Sequence, residues 1–243
     1  MTARRTWATA RRVLAQLRND PRTIALILVL PTALMTLLAW ILPDSEWQKY
    51  APPLLGIFPM LVMFLVTSVA TLRERTSGTL ERLLSMPMGK GDFVFGYAIA
   101  FGVLAIVQAL VVAGVCFTLL DLTVRGSAPL VVLIAVVDGL VGTALGLFVS
   151  AFAQTEFQAV QFMPVALLPQ FLLCGLILPT EELPTVLGWI SWLLPLTYAV
   201  NAMQHVVVDT QLDTRFWVDA GVITGMAVAL LALGAVTLRR QTR

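Results

Sequence analysis

Charged residues are scarce in this sequence of 243 residues. Asp, Glu, Lys and Arg make up 12% of the chain, whereas 58% of it is hydrophobic and the mean hydropathy is +0.88. A chain of this composition cannot cover its apolar residues with polar surface in water. The composition therefore argues against an ordinary water-soluble domain and predicts an integral membrane protein.

Residues that usually carry catalysis, metal binding or disulfides are also few. The sequence has one His, His205, and two Cys, Cys116 and Cys174, which both fall inside long apolar runs. The motifs H-E-x-x-H and G-x-S-x-G do not occur, nor does the phosphate-binding loop G-x-x-x-x-G-K-[ST]. We therefore expect two buried thiols, no catalytic residue, no metal site, no bound cofactor and no nucleic-acid partner.

Long apolar runs, in contrast, are abundant. A bilayer core of about 30 Å needs about 20 apolar residues in a helix. The sequence predicts six such spans, at residues 24–42, 51–72, 93–120, 128–152, 160–178 and 218–238. Runs of this length are typical of membrane helices and not of barrel strands. We predict an all-α integral membrane fold in a single domain, residues 1–243, without a cleavable signal peptide.

The basic residues are distributed unequally among the segments between the spans. With the N-terminus in the cytoplasm, all but three of the 16 Lys and Arg residues fall in inner segments, the exceptions being Lys49, Arg125 and Arg215. Such an excess of positive charge marks the cytoplasmic side of membrane proteins. We expect a multi-pass protein of a bacterial cytoplasmic membrane, with both termini inside and its arginines near anionic membrane lipids.

The segment before the first span, residues 1–23, predicts an amphipathic helix. Its apolar and basic residues fall on separate helical faces: Trp7, Ala10, Leu14 and Leu17 on one, and Arg4, Arg11 and Arg18 on the other. Such a helix lies in the membrane interface. Two roles remain open, namely a basic anchor that sets the topology and a helix that also transmits motion from a cytoplasmic partner.

The loop at residues 73–92 combines charge with helix signals between two apolar runs. Ser77 is a suitable helix cap and Pro87 a suitable helix end. Three leucines share one face of this short helix, with two charged residues beside them: Leu80, Leu83, Leu84, Glu81 and Arg82. The residues alone predict a cytoplasmic helix that either rests on the bilayer or contacts a partner.

Part of this loop, ERTSGTLERLLSMP, resembles the E-x-x-x-G-T-L-E-x-L-L-x-x-P signature of type-2 ATP-binding-cassette (ABC) exporter permeases. The matching residues are Glu74, Gly78, Thr79, Leu80, Glu81, Leu83, Leu84 and Pro87. A second stretch, CGLILPTEELPTVLGWISWLLPLTYAVNAM, is similar to the segment that follows the fifth span in that family. Cys174 replaces the usual small hydroxyl residue, and the final Arg of the family pattern is not evident near His205.

The resemblance extends over essentially the whole chain and implies a function. It implies that the loop helix, including Arg82, is a coupling helix that docks on a separate ABC ATPase subunit, which would bind ATP and Mg. It also implies a second permease chain, identical or different, and export of a hydrophobic or amphiphilic drug, antibiotic or lipid-like molecule.

Four polar residues are expected within the apolar spans: Gln108, Asp138, Gln161 and Gln170. A charge at the position of Asp138, near the middle of the fourth span, costs about 2.5–3.5 kcal/mol on insertion scales. These residues either line a translocation path or form interhelical hydrogen bonds, the partner of Asp138 being Gln108. Asp138 is also a candidate proton site.

Two G-x-x-x-G pairs, Gly142–Gly146 and Gly221–Gly225, lie in the fourth and last spans. Small residues at this spacing permit close approach of helices in membranes. We therefore expect both pairs to be packing sites.

The segment at residues 179–217 is too polar for another full span and too apolar for a free loop. Trp189, Trp192 and Tyr198 are typical of a membrane interface, and Pro195 separates two short helices. We predict a re-entrant helical pair before the last span. It acts either as an outer gate on the release path or as an interfacial anchor.

Three functions remain open at this point. The first is the permease subunit of an ABC exporter, which accounts for the loop, the topology and the missing nucleotide site together. The second is a self-sufficient ion-coupled carrier or intramembrane enzyme centred on Asp138, assisted by His205 or Glu181. The third is a membrane scaffold without transport activity.

Overall fold

The computed structural model describes residues 3–77, 90–208 and 213–237. The helices in these ranges are α1 (Ala3–Arg18), α2 (Pro21–Ile41), α3 (Asp44–Thr76), α4 (Lys90–Thr118), α5 (Ala128–Ser150), α6 (Glu156–Leu173), α7 (Thr185–Ser191), α8 (Pro195–Val208) and α9 (Thr214–Thr237). A single 3₁₀ turn, Thr180–Glu182, precedes α7. The described ranges contain no strand, and the predicted all-α class is confirmed.

Five of the described helices, α2, α3, α4, α5 and α9, are long and apolar enough to cross a membrane. The fifth predicted span differs from the sequence expectation. Its helix, α6, has 18 residues and ends at Leu173 instead of continuing to residue 178. Three glutamines and two prolines reduce the hydropathy of α6, which explains why it is not among the five.

The predicted pair of short helices before the last span is confirmed as α7 and α8. Their axes differ by 84°, and hydrogen bonds fix the corner between them. The Thr197 hydroxyl donates to the Ser191 carbonyl oxygen over 2.8 Å, and the Ser191 hydroxyl donates to the Leu173 carbonyl oxygen over 2.8 Å. The corner is therefore attached to the end of α6.

Close packing between α3 and α5 forms the centre of the bundle. A Cβ atom at Gly142 would overlap with the Met60 carbonyl oxygen, and one at Gly146 would lie 2.6 Å from the Phe64 carbonyl oxygen. The first G-x-x-x-G pair is thus a packing site, as expected. The expectation for the second pair is not met, because no heavy atom of the described chain lies within 4 Å of such a Cβ at Gly221 or Gly225.

The bundle has an inner end and an outer end, each defined by the residues between its helices. The inner end holds residues 19–20, 77 and 151–155, and the outer end holds residues 42–43 and 119–127. At the outer end, the Trp47 indole N–H donates to the Leu120 carbonyl oxygen over 2.9 Å. The Gln48 amide donates to the Asp121 carbonyl oxygen over 2.8 Å and accepts from the Thr123 backbone N–H over 2.8 Å. These bonds attach the start of α3 to the loop after α4.

Candidate functional site

The inner end of α3 carries three consecutive charged residues, and each of them contacts a different helix. We call Arg73, Glu74 and Arg75 the α3 end cluster. These residues lie in the last turns of α3, immediately before the segment that carries the predicted coupling helix. The cluster therefore lies directly before that segment in the chain.

Glu74 forms the most buried contact of the cluster, with Arg12 of α1. Both carboxylate oxygens accept hydrogen bonds from the guanidinium, each over 2.9 Å. The side chains of Arg12 and Glu74 are 28% and 10% exposed. Partial burial opposes the charge of Arg12, but the hydrogen bonds and the charge of Glu74 raise the pKa of the guanidinium above its ordinary value. A bidentate pair of this kind fixes α1 on α3 in one orientation.

Helix α1 is seated by its contact with α4. A Cβ atom at Gly96 would lie 2.6 Å from the Thr9 Cβ, so the two helices approach closely at this glycine. Nearby, the Thr6 hydroxyl donates to the Asp92 carboxylate over 3.3 Å. The buried face of α1 consists of Thr6, Thr9, Ala10, Val13 and Leu17. Trp7, which belongs to the predicted apolar face, is 62% exposed and takes no part in this contact.

The two arginines of the α3 end cluster reach the helices on the other side. Arg73 donates two hydrogen bonds to the Glu156 carboxylate at the start of α6, over 2.8 and 3.0 Å. Both side chains of this pair are more than half exposed, at 60% and 51%. Arg75 donates to the carbonyl oxygen of Ser150 at the end of α5. The end of α3 is thus joined to α1, α5 and α6 together.

The predicted coupling residues are divided between the described and the undescribed parts of the chain. Gly78, Thr79, Leu80, Glu81, Arg82, Leu83, Leu84 and Pro87 lie outside the described residues. Glu74 is described, and its carboxylate is held by Arg12 instead of facing outward. Arg12 and Glu156 were not singled out from the sequence. The sequence feature that could have indicated these partners is the run Arg73-Glu74-Arg75 at the end of an apolar helix, because charged side chains there need groups of opposite charge nearby.

The polar residues of the spans do not form one hydrogen-bonded cluster. Asp138 and Gln108 are both 0% exposed, and neither side chain has a hydrogen-bond partner among the described residues. The hydrogen bond considered between them is therefore not formed. Gln170 donates to the Ala166 carbonyl oxygen over 2.9 Å, whereas Gln161 is exposed.

Asp138 lies where α5 meets α3. A Cβ atom at Gly56 would be 3.4 Å from one Asp138 carboxyl oxygen and 2.6 Å from the Met203 methyl carbon of α8. Glycine at position 56 therefore leaves the space that the carboxyl group occupies. In this arrangement Asp138 is enclosed by the bundle of one chain.

The residues proposed as an outer gate lie at the corner between α7 and α8. Trp189 and Trp192 are 76% and 47% exposed, and Pro195 opens α8. The Tyr198 hydroxyl donates to the Trp192 carbonyl oxygen over 2.7 Å, and the two rings are 5.7 Å apart. Tyr198 and Trp192 therefore contact each other across the corner, while a large part of the surface of Trp189 and Trp192 stays exposed.

Comparison with known proteins identifies the family to which the sequence is similar. The sequence matches the family model described as ABC-2 type transporter over residues 4–208. It is 28% identical over 166 residues to ABC transporter G family member 20 of Dictyostelium discoideum, which covers 68% of this chain and 23% of that protein. It is 27% identical over 176 residues to the probable multidrug ABC transporter permease YbhR of Escherichia coli (strain K12), covering 72% of this chain and 48% of YbhR.

A third relative is the inner membrane transport permease YhhJ of Escherichia coli (strain K12), with 28% identity over 169 residues, 68% of this chain and 44% of YhhJ. The chain thus spans about half the length of these bacterial relatives or less. The family match runs from α1 through α8 and includes the α3 end cluster and both stretches that carry the resemblance. On this basis the chain belongs to the ABC-2 type transporter family.

Proposed function

We propose that this chain is the membrane permease subunit of an ABC exporter driven by ATP hydrolysis in a separate nucleotide-binding subunit. Membership in the ABC-2 type transporter family supports the role of a permease component of a multi-pass membrane transporter. The observation that carries the proposal is the attachment of the α3 end cluster to α1, α5 and α6. A force applied to the segment after α3 reaches three other helices through these contacts.

The segment at residues 78–87 is proposed as the coupling helix, with Gly78, Thr79, Leu80, Glu81, Arg82, Leu83, Leu84 and Pro87 at the ATPase surface. Glu74 has a different role in this scheme. Because its carboxylate is held by Arg12, it transfers motion of the coupling helix to α1 and makes no direct contact with the partner. The amphipathic N-terminal helix then belongs to the transmission.

The partners follow from the same proposal. ATP and Mg are bound by the ATPase subunit, and a second permease chain completes the membrane part. The inner end of the bundle faces the cytoplasm. The cargo is a hydrophobic or amphiphilic molecule, since the relative YbhR is a probable multidrug permease and the membrane helices of this chain offer few charged groups.

Co-purification with ATPase measurement tests this proposal. The chain is extracted from its native membrane in mild detergent, and stoichiometric proteins are identified by mass spectrometry. We expect a nucleotide-binding subunit whose binding and ATPase activity are lost in Glu81→Lys and Leu84→Asp. Glu46→Lys is the matched control, because it makes the same charge reversal at the outer end of the bundle.

Two outcomes would contradict the proposal. A chain that purifies alone in several detergents and in lipid discs, without ATP hydrolysis, would refute the need for an ATPase partner and favour a self-sufficient carrier centred on Asp138. Retention of the partner in Glu81→Lys at the level of Glu46→Lys would refute the coupling role of residues 78–87. Efflux of a fluorescent hydrophobic dye from cells expressing each variant then tests the cargo class.

A further inference from the structure

A polar cavity lies at the outer end of the bundle, between α8 and α9. Its volume is about 790 Å³, which falls within the range of about 300–1,000 Å³ that is typical of small-molecule sites. The lining residues come from the 3₁₀ turn, the α7–α8 corner and the facing sides of α8 and α9, and they include Glu181, Asn201, His205, Arg215 and Asp219. None of these residues belongs to the α3 end cluster.

The polar residues recur at helical spacing, which places them on one side of each helix. On α8, Asn201 and His205 are four residues apart, and on α9 so are Arg215 and Asp219. Side chains at this spacing are neighbours on a helix surface. Helix α9 is apolar enough to span a membrane, so a cation and an anion on one of its faces require a polar environment.

A smaller cavity of about 190 Å³ adjoins the first. The two share Thr180, Glu181, Asn201 and Gln204, and the smaller cavity adds Lys49 from α3. Because four lining residues are common to both, we treat them as one space and call it the outer polar hollow. It presents charges of both signs.

Two charged side chains of the hollow, those of Arg215 and Asp219, take part in no ion pair within 4.0 Å among the described residues. Asp219 lies within electrostatic range of His205 and Arg215 without direct contact between their charged atoms. The side chains of Asn201 and Gln204 likewise make no hydrogen bond in the described ranges. A matching ligand would therefore contribute one anionic and one cationic group, since each would meet an unpaired group of opposite sign.

We propose that the outer polar hollow binds the headgroup of a zwitterionic phospholipid that has a primary ammonium group. Arg215 contacts the phosphate, and Glu181 and Asp219 accept hydrogen bonds from the ammonium group. Val208 and Val218 line the apolar side of the hollow, where the acyl chains begin. This proposal concerns a bound membrane lipid and does not rest on the export function.

The position of the hollow favours a lipid over a water-soluble ligand. The hollow lies at the end of the membrane-spanning helices, at the level of lipid headgroups. Large apolar side chains close in sequence to the lining residues are exposed at the surface of the bundle, including Trp217 at 59% and Leu193 at 73%, and such side chains suit contact with lipid. A primary ammonium is preferred over a choline headgroup, because a quaternary ammonium has no N–H to donate to the carboxylates.

Native mass spectrometry of the purified chain tests this assignment. The chain is offered equal amounts of phosphatidylethanolamine, phosphatidylcholine and phosphatidylglycerol in detergent, and retained lipid is counted. We expect one phosphatidylethanolamine per chain, retained about tenfold better than the other two, because phosphatidylcholine has no N–H to donate and phosphatidylglycerol has no ammonium group. Equal retention of the three lipids would overturn the proposal.

Variants identify the site of the retained lipid. Glu181→Gln, Arg215→Gln and Asp219→Asn should each reduce phosphatidylethanolamine retention by about tenfold. Glu182→Gln is the matched control for Glu181→Gln, because Glu182 is the next residue and does not line the hollow. Arg125→Gln is the control for Arg215→Gln, since Arg125 is an exposed outer arginine whose side chain does not line the hollow.

Thermal melting in the same detergent shows which variants remain folded. Retention of phosphatidylethanolamine is compared only among the folded variants and their controls. If the folded hollow variants retain as much phosphatidylethanolamine as their controls, the lipid binds elsewhere and the proposal is wrong. Since no ATPase partner is present in this experiment, its failure would leave the proposed export function unaffected.

Discussion

Removal of the Arg12–Glu74 ion pair should destabilise the protein more than removal of any other charged contact of the α3 end cluster. Breaking a buried pair by removing one partner costs about 3–5 kcal/mol, whereas an exposed pair contributes about 0–1 kcal/mol. The Glu74 side chain is only 10% exposed and that of Arg12 is 28% exposed. Arg12→Gln therefore leaves a buried carboxylate without a cation and should cost about 3 kcal/mol.

Substitution of the other partner of the ion pair, Glu74, should destabilise the protein less. In Glu74→Gln the unpaired Arg12 can turn partly toward solvent, so we expect a loss of about 2 kcal/mol. In the double variant the two amides can bond to each other. The double variant should therefore lose less than the sum of the single variants, with a coupling energy of about 1.5–3 kcal/mol.

Thermal melting of the purified variants in one detergent measures this effect. On the scale of soluble domains of similar size, a loss of 3 kcal/mol lowers Tm by about 6–12 °C. Arg11→Gln is the matched control, because Arg11 is the adjacent residue of α1 and is exposed. Two results would show that the ion pair does not hold α1 on α3. One is an equal Tm for Arg12→Gln and Arg11→Gln, and the other is a double variant whose loss of stability equals the sum of the losses in Arg12→Gln and Glu74→Gln.

Three further predictions concern packing and polarity inside the bundle. Gly142→Ala should cost about 1–3 kcal/mol, because its methyl group would meet the Met60 carbonyl. Gly221→Ala should instead be neutral or stabilising by up to about 1 kcal/mol, and equal Tm values for the two variants would contradict the assigned packing. Asp138→Asn should change thermal stability by less than about 1 kcal/mol, because no described cation or donor holds that carboxyl group; a larger loss would reveal a partner. Trp47→Phe should cost about 1 kcal/mol through loss of its hydrogen bond to the loop after α4, and an unchanged Tm would show that this bond contributes nothing.

The apolar runs were sufficient to predict most of the membrane helices, because each helix must cross a layer of fixed thickness. The first predicted span, residues 24–42, corresponds to α2 at Pro21–Ile41. The fifth was placed too late in the sequence. Apolar residues continue to residue 178, but the helix begins at Glu156, where the Thr155 hydroxyl accepts from the Gln158 backbone N–H over 3.2 Å. Hydropathy does not register such a cap.

The candidate site was harder to predict for two physical reasons. Glu74 and Arg12 are 62 residues apart, and helical periodicity describes only neighbours within one helix. The contact of α1 with α4 was not predicted, because close helix contact selects small residues. Thr9 lies against Gly96, and periodicity of large apolar residues cannot show that threonine faces the interior. The sequence therefore predicted the amphipathic helix but not its contact with α4.

The two halves of α3 differ in proline content and therefore in stiffness. Helix α3 has 33 residues, and its internal prolines, Pro52, Pro53 and Pro59, all lie in the outer half. The stretch from residue 60 to Thr76 has no proline and forms a stiff rod of roughly 25 Å. Proline is a common hinge point in helices. A bend of about 20° at Pro59 would displace the inner end of α3 by about 9 Å. Helix α3 can therefore act as a lever that pivots in its outer half and carries Glu74 near its moving end.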